Sequence, residues 1–395
     1  MKISNFRFYN PVKLIAGDKA LGSLPYELKQ LDSQRPLIIT DPGVREAGLI
    51  DLVYESLESK GDFNCSMFDR VPPDSSPAVV NSAAGMFRQE ACDALVAVGG
   101  GSVIDTAKAV NIVISEEVDD IIELKGAKLK KTMQPFIVIP TTAGTGSEVT
   151  YAAMLRDAEH RAKLLFASYN LFPDTALLDP RMTLTLPPLA TAATAMDALC
   201  HAMESCISNA QNPISDAHAV AAIKLIHKHL PRVLENETDA HSRFQLANAA
   251  CMAGAAFSNS GVGVVHALGH ALGGVCGVPH GVAMSIFLPH GLAFNMSVAR
   301  EAIGEMLLPL SGPEDYVQTP PSERAAKTLA VVQELKEKLY SMAGLPRTLS
   351  EAGVSEDNFE DIARKALRDP ALNFNPTAAN YDEIQDILQK AFNSA

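Results

Sequence analysis

Between Phe244 and Ala299 the chain carries no Asp, Glu, Lys or Arg over 56 residues, yet it holds four histidines, His266, His270, His280 and His290. A stretch so free of charge belongs inside a protein or a membrane. A polar group buried without a partner costs roughly 1–3 kcal/mol. Several imidazoles in one buried stretch therefore need hydrogen bonds, a metal or a proton-transfer role. Gly, Pro, Asn and Ser interrupt the stretch, as in SNSGVG (258–263) and GVPHG (277–281), and no run of about 20 purely apolar residues spans a bilayer. The reading is the buried centre of a soluble helical domain.

At 395 residues the chain is long enough for two domains, each with its own core. Apolar residues make up 47% and charged ones 20%, as in a well-buried globular protein. The net charge is −13, and the one compact basic run, KGAKLKK (125–131), reads as a solvated loop. Phosphate neutralisation needs clustered Lys and Arg, so neither nucleic acid nor an anionic membrane is an expected partner. The opening MKISNFRFYNPVK has no apolar core followed by a small-residue cleavage site, so no signal peptide is expected. The six cysteines show no CxxC pairing, which fits free thiols in a reducing, cytoplasmic setting. Cys276 reads as a small buried hydrophobe.

The two halves follow different patterns. PLIITD (36–41), ALVAVGG (94–100) and PFIVIPTT (135–142) are short apolar runs bounded by turn residues, and they read as buried strands. Helical segments such as GLIDLVYESLESKG (48–61) lie between them. Alternating strands and helices predict a parallel sheet covered on both faces. ISNFRFYNPVKLIAG (3–17) reads as an extended hairpin or an edge strand, which invites pairing with another chain. From about Leu184 the pattern is helical only, with PPLATAATAMDALCHAMESCI (187–207), ISDAHAVAAIKLIHKHLPRVL (214–234) and RAAKTLAVVQELKEKLYSMAG (324–344). The expected division is an α/β domain over 1–183 and an all-α domain over 184–395, with the boundary in LLDPRMTLTLPP (177–188).

VAVGGGSVIDTAKAV (96–110) is a strand, three glycines and a helix start. Gly99, Gly100 and Gly101 let backbone approach a ligand closely, and Ser102 with Asp105 forms an S-x-x-D capping signal. A helix N-terminus with free N–H groups suits a pyrophosphate. A second donor-rich loop, PTTAGTGSEVT (140–150), also follows a strand, and ligands bind at that edge of an open sheet. Asp41 ends the first strand, where a carboxylate accepts from ribose hydroxyls and repels a 2′-phosphate, favouring NAD over NADP.

Asp197 and His201 are four apart on a predicted helix, and His266 and His270 repeat the spacing, so each pair shares a face. His280 and His290 follow in VPHG and LPHG. A carboxylate with two or three imidazoles suits Fe(II), Zn(II), Mn(II) or Co(II) rather than calcium. Spacing does not choose between His270 and His280 as ligand. His160, His218, His227, His229 and His241 read as surface or capping residues.

These motifs resemble the iron-containing (group III) alcohol dehydrogenases. The likeness rests on GGGSVIDTAKAV, PTTAGTGSEVT, AATAMDALCHAMES and HALGHALGGVCGVPHGVAMSIFLPH. It continues through NPISDAHAVAAI (212–223) to DPALNFNPTAAN (369–380), nearly the whole chain. The resemblance implies a dehydroquinate synthase-like architecture, in which a dinucleotide-binding α/β domain and a helical domain flank a cleft. It assigns the metal to Asp197, His201, His266 and His280, with His270 a catalytic non-ligand that relays a proton or positions substrate. It sets Gly100, Gly101, Ser102, Thr141, Thr142, Thr145 and Ser147 near the cofactor, Asp41 at the adenosine ribose and Lys163 on the nicotinamide side. Arg156, where many relatives have Thr, and Tyr169, where Pro is common, depart from the family in a segment that borders the cleft.

The expected activity is reversible hydride transfer between NAD and a small primary alcohol or its aldehyde, with Fe(II) or Zn(II) as metal. The charge-free stretch offers no Lys or Arg to a dianionic substrate, so a short, neutral one is expected. Two alternatives remain. One is a lyase of the dehydroquinate synthase type that uses NAD transiently. The other is a non-catalytic nucleotide- and metal-binding protein. A homodimer or higher homo-oligomer is expected.

Overall fold

The computed structural model describes residues 5–59, 61–157 and 162–393. It comprises two compact units, Asn10–Leu186 and Pro187–Ala395, the described residues up to Tyr9 grouping with the second. The break thus falls immediately before the proline-opened helix.

The first unit is built on a six-stranded sheet. Its strands are β1 (Lys13–Ala16), β2 (Pro36–Ile39), β3 (Ser66–Phe68), β4 (Ala94–Gly99), β5 (Phe136–Pro140) and, after a separate hairpin of β6 (Ala152–Asp157) and β7 (Ala162–Ala167), β8 (Thr175–Leu178). The order is β1-β8-β5-β4-β2-β3, and every pairing is parallel. The helices α1 (Leu24–Gln30), α2 (Pro42–Glu46), α3 (Leu49–Glu58), α4 (Pro77–Gln89) and α5 (Gly101–Glu116) accompany it. β4 shows why its sequence does not alternate. Leu95 and Ala97 join one core with Val80, Ala84 and Ile104, while Val96 and Val98 join another with Leu28 and Val53. Both faces are dry, so every position is apolar.

The N-terminal segment resolves to one of its two readings. β1 is an edge strand running parallel to β8, with Leu14 opposite Ala176, not half of a hairpin. The antiparallel pair β6–β7 was not legible as strands, since Arg156 lies opposite Lys163 and breaks the apolar run.

The second unit is helical, led by α6 (Pro188–Ile207), α7 (Pro213–Glu235), α8 (Ala240–Ser260), α9 (Val264–Cys276) and α10 (His280–Glu305). Pro188 opens α6 in the first turn, where its missing N–H is harmless. Asn212 caps α7 by accepting from Ser215 N, and Gly277 closes α9 in the left-handed region at φ 71°. α10 is long and apolar enough to cross a membrane by length and composition alone. Here it packs along α6, α9 and the helix Pro321–Ala343. The charge-free stretch is thus the interior of this unit, its Val264, Leu268, Leu272, Ile286 and Phe287 all fully buried.

One close approach brings α10 against α6. A Cβ on Gly281 would lie 2.3 Å from the carbonyl oxygen of Ala193. Only glycine permits that spacing, and it fixes the start of α10 beside the turn of α6 that leads to Asp197. Gly281→Ala is expected to destabilise the unit by about 1–3 kcal/mol through overpacking, read as a lower denaturation midpoint. An unchanged midpoint would show that the two helices part without strain.

Candidate functional site

Asp197, His201 and Glu204 occupy positions i, i+4 and i+7 of α6, so they share one face. His266 comes from the first turn of α9, and His280 is the first residue of α10. His201 Nδ1 is 3.8 Å, His266 Nε2 3.7 Å and His280 Nε2 3.3 Å from Asp197 Oδ1. The ligating atoms of Asp197, His201 and His266 all lie within 4.8 Å of one another, and all three residues are buried. Asp197 Oδ1, His201 Nδ1 and His266 Nε2 have no hydrogen-bond partner.

Three orphaned, buried polar atoms facing one another are rare in a folded core. The separations from His201 and His266 are too long for hydrogen bonds and suit donors arranged around a common centre. The donor set, one carboxylate and imidazoles, fits a borderline divalent ion such as Fe(II) or Zn(II). The residues present therefore fit a metal of the kind the sequence suggests.

Carboxylates outside this set orient the rings. Glu204 Oε1 accepts from Val265 N at 2.8 Å, and Oε2 lies 2.5 Å from His266 Nδ1, which turns Nε2 toward Asp197. One side chain of α6 thereby caps α9 and sets its histidine, an arrangement typical of metal-ligating histidines. His270 Nδ1 lies 2.9 Å from Asp369 Oδ2, whose other oxygen accepts from Ala371 N. His270 and His280 stack with centroids 5.4 Å apart. Burial alone would raise the Asp197 pKa, but the facing His201 and His280 hold it well below the usual carboxylate range. Burial pulls His201 down to about 3, which favours the neutral, ligating imidazole. Burial also lowers His270, against the opposing pull of Asp369.

The first unit carries a separate constellation. β4 runs into Gly100, and α5 begins at Gly101. A Cβ on Gly101 would lie 2.5 Å from Thr145 Cγ2, and one on Gly100 3.0 Å from Thr142 Cγ2, so the second loop rests directly on the glycine turn. Thr141 N donates to Gly99 O at 3.1 Å. Among the described residues, none accepts from the backbone N–H groups of Thr142 through Gly146. A run of unpaired donors beside a helix N-terminus is the backbone pattern of an anion cradle. Asp41 caps α2 by accepting from Val44 N at 2.9 Å through Oδ1. Lys163 pairs with Asp74, whose backbone N–H donates to Ser102 Oγ at 3.2 Å.

The structure corrects three sequence readings. The S-x-x-D cap does not form: Gly100 is the N-cap and makes no side-chain bond. Ser102 instead accepts from Asp74 N, while the Asp105 carboxylate accepts from Ser147 Oγ at 2.6 Å and Met154 N at 2.9 Å. Both side chains serve neighbouring segments rather than their own helix. His229 is not on the surface either. It is buried, with Nδ1 3.0 Å from Ser242 Oγ. His160 lies outside the described residues, and His290 joins no metal-capable cluster among them. Cys276 is only partly buried, and none of the six cysteines is in a disulfide. Sequence reasoning missed Glu204, Asp369 and Lys108. Glu204 was signalled by its place seven residues after Asp197, but a carboxylate in an apolar helix gives no hint of its partner.

Two family models match. That of the iron-containing alcohol dehydrogenases covers residues 11–180, and that of the Fe-containing alcohol dehydrogenase family, C-terminal, covers 191–392. The NAD-dependent methanol dehydrogenase of Bacillus methanolicus is 34% identical over 97% of this chain and 99% of its own. The 1,3-propanediol dehydrogenase of Klebsiella pneumoniae is 33% identical over 99% of this chain and 100% of its own. The crystal structure of a 1,3-propanediol oxidoreductase superposes with a TM-score of 0.93 at 32% identity, covering 98% of this chain and 100% of that one. The chain belongs to the iron-containing alcohol dehydrogenase family. It is an oxidoreductase acting on CH–OH groups with the dehydroquinate synthase-like fold.

Glu204→Gln keeps the shape of the side chain but weakens its hold on His266. Metal affinity is expected to fall roughly 10–100-fold, measured by competition with a chromogenic chelator. Unchanged affinity would mean that His266 is oriented by packing alone.

Proposed function

We propose that the chain interconverts a small, neutral primary alcohol and its aldehyde, using NAD and one divalent metal held by Asp197, His201, His266 and His280. The observation that carries this reading is the set of buried, partnerless atoms on Asp197, His201 and His266. When bound, the metal supplies a Lewis acid that lowers the pKa of the alcohol hydroxyl, and NAD supplies the hydride acceptor.

The chain's own residues do the rest. The glycine turn and the N–H groups of Thr142 through Gly146 bind the pyrophosphate, with the hydroxyls of Ser102, Thr141, Thr142, Thr145 and Ser147 nearby. Asp41 retains Oδ2 for a ribose hydroxyl, since Oδ1 caps α2. That carboxylate disfavours a 2′-phosphate, so NAD is preferred over NADP. Lys163 acts on the nicotinamide side. His270 donates its Nδ1 proton to Asp369, which leaves Nε2 to accept a proton from the substrate side.

The neutral substrate follows from residues 244–299, which contribute no cation around the histidines. Two relatives bear the names of methanol and 1,3-propanediol, both small and uncharged. A cytoplasmic homodimer completes the reading. The absence of any disulfide among the six cysteines supports the first element, and the exposed Leu14 on edge strand β1 supports the second.

Metal-stripped protein is expected to form NADH from a panel of short alcohols only after Fe(II) is restored. Net NADH release also separates a dehydrogenase from a lyase that regenerates its NAD. No NADH under any condition, with NAD bound and metal loaded, would overturn the reading. Asp369→Asn is expected to lower kcat roughly 10–100-fold at unchanged metal content, because His270 loses its orienting partner. An unaltered kcat would remove His270 from proton handling.

A further inference from the structure

Lys108 is fully buried on α5, and its ammonium is surrounded by one short segment of chain. Nζ lies 2.7 Å from Ser147 O, 2.9 Å from Ser147 Oγ, 2.9 Å from Thr150 O, 2.9 Å from Thr150 Oγ1 and 2.9 Å from Ala152 O. Asp105, one helical turn earlier, takes Ser147 Oγ and Met154 N. Two charged side chains on one face of α5 thus hold the whole turn from Ser147 to Met154. Acceptors of that turn converge on the lysine, and two of its donors reach the aspartate.

A buried charge is weak evidence for stability, because desolvation offsets much of what the pairing returns. Fixing geometry is the better-supported use of such a group. The segment it fixes is the far end of the loop whose Thr142 and Thr145 rest on Gly100 and Gly101. Three carbonyls of this segment turn inward to the ammonium, while the N–H groups of Thr142 through Gly146 are left without protein acceptors. An apolar side chain at 108 would take the ammonium away from all five acceptors. Ser147 O would keep Thr150 N and Ser147 Oγ would keep Asp105, but Thr150 O would lose its hydrogen bond and the turn would lose the donor its carbonyls share.

We propose that Lys108 is a positioning residue for dinucleotide binding: its ammonium, with Asp105, sets the Ser147–Met154 turn and thereby aims the donors of the preceding loop at the pyrophosphate. This rests on the reading of that loop as the NAD cradle.

The test compares NADH affinity, by fluorescence titration, in the metal-loaded wild type and in Lys108→Met. The variant is expected to bind NADH roughly 10–100-fold more weakly, with the KM for alcohol and the metal content within about twofold of wild type. A merely structural loss would weaken NADH binding, raise the KM and lower the metal content together, which would overturn the positioning role. If the wild type fails to bind NADH, the cradle reading itself falls, and the proposal with it. If the wild type binds and a folded Lys108→Met binds equally well, the cradle stands and the positioning role is overturned. Should Lys108→Met not fold, Thr150→Val decides. It removes one acceptor and keeps the ammonium, so several-fold weaker NADH binding supports the proposal and unchanged binding refutes it.

Discussion

The second unit is organised around a carboxylate oxygen that has nothing in the protein to bond. Asp197 Oδ1 is buried in α6 with His201, His266 and His280 turned toward it. The penalty for burying such a charge without compensation is several kcal/mol, and the helices around it converge to bring imidazole nitrogens close to it. The charge-free stretch, the small residues that let α6 and α10 approach, and the Glu204 brace on α9 all serve this convergence. A divalent ion held by these residues would satisfy the partnerless atoms of Asp197, His201 and His266 at once. That is why the site reads as a metal centre rather than as a strained polar cluster.

The first unit solves a different problem by similar means. Its sheet is dry on both faces, and the loops that leave β4 and β5 rest on each other at Gly100 and Gly101. Backbone N–H groups there are left unpaired, while buried side chains on α5 absorb the carbonyls of the same loop. In the segment from Ser147 to Met154, the inward acceptors meet Lys108 and two donors meet Asp105, while the N–H groups of Thr142 through Gly146 are left over.

The fold class was legible because burial on two faces and burial on one stripe leave different marks. Unbroken apolar runs such as ALVAVG gave parallel strands, and the helical periodicity after Leu184 gave helices. Short or charged elements were not legible. β3 has only three residues, and Arg156 opposite Lys163 disguised β6 and β7. Within the site, i,i+4 spacing drew Asp197 and His201 together. The ligand choice between His270 and His280 needed the family likeness, since the two rings stack and spacing treats them alike. The failed S-x-x-D cap has an instructive cause. Ser102 and Asp105 had long-range partners in Asp74, Ser147 and Met154, and tertiary bonds outweighed a local one. Glu204, Asp369 and Lys108 stayed hidden for the same reason: each acts on a residue distant in sequence.

X-ray absorption fine structure of the purified, Fe(II)-loaded protein would test the central claim most directly. The account predicts one ion per chain in a shell of imidazole nitrogens and carboxylate oxygen, with the imidazole scattering diminished in His266→Ala. Stoichiometric iron with no imidazole in its shell, or a shell unaffected by that substitution, would contradict it.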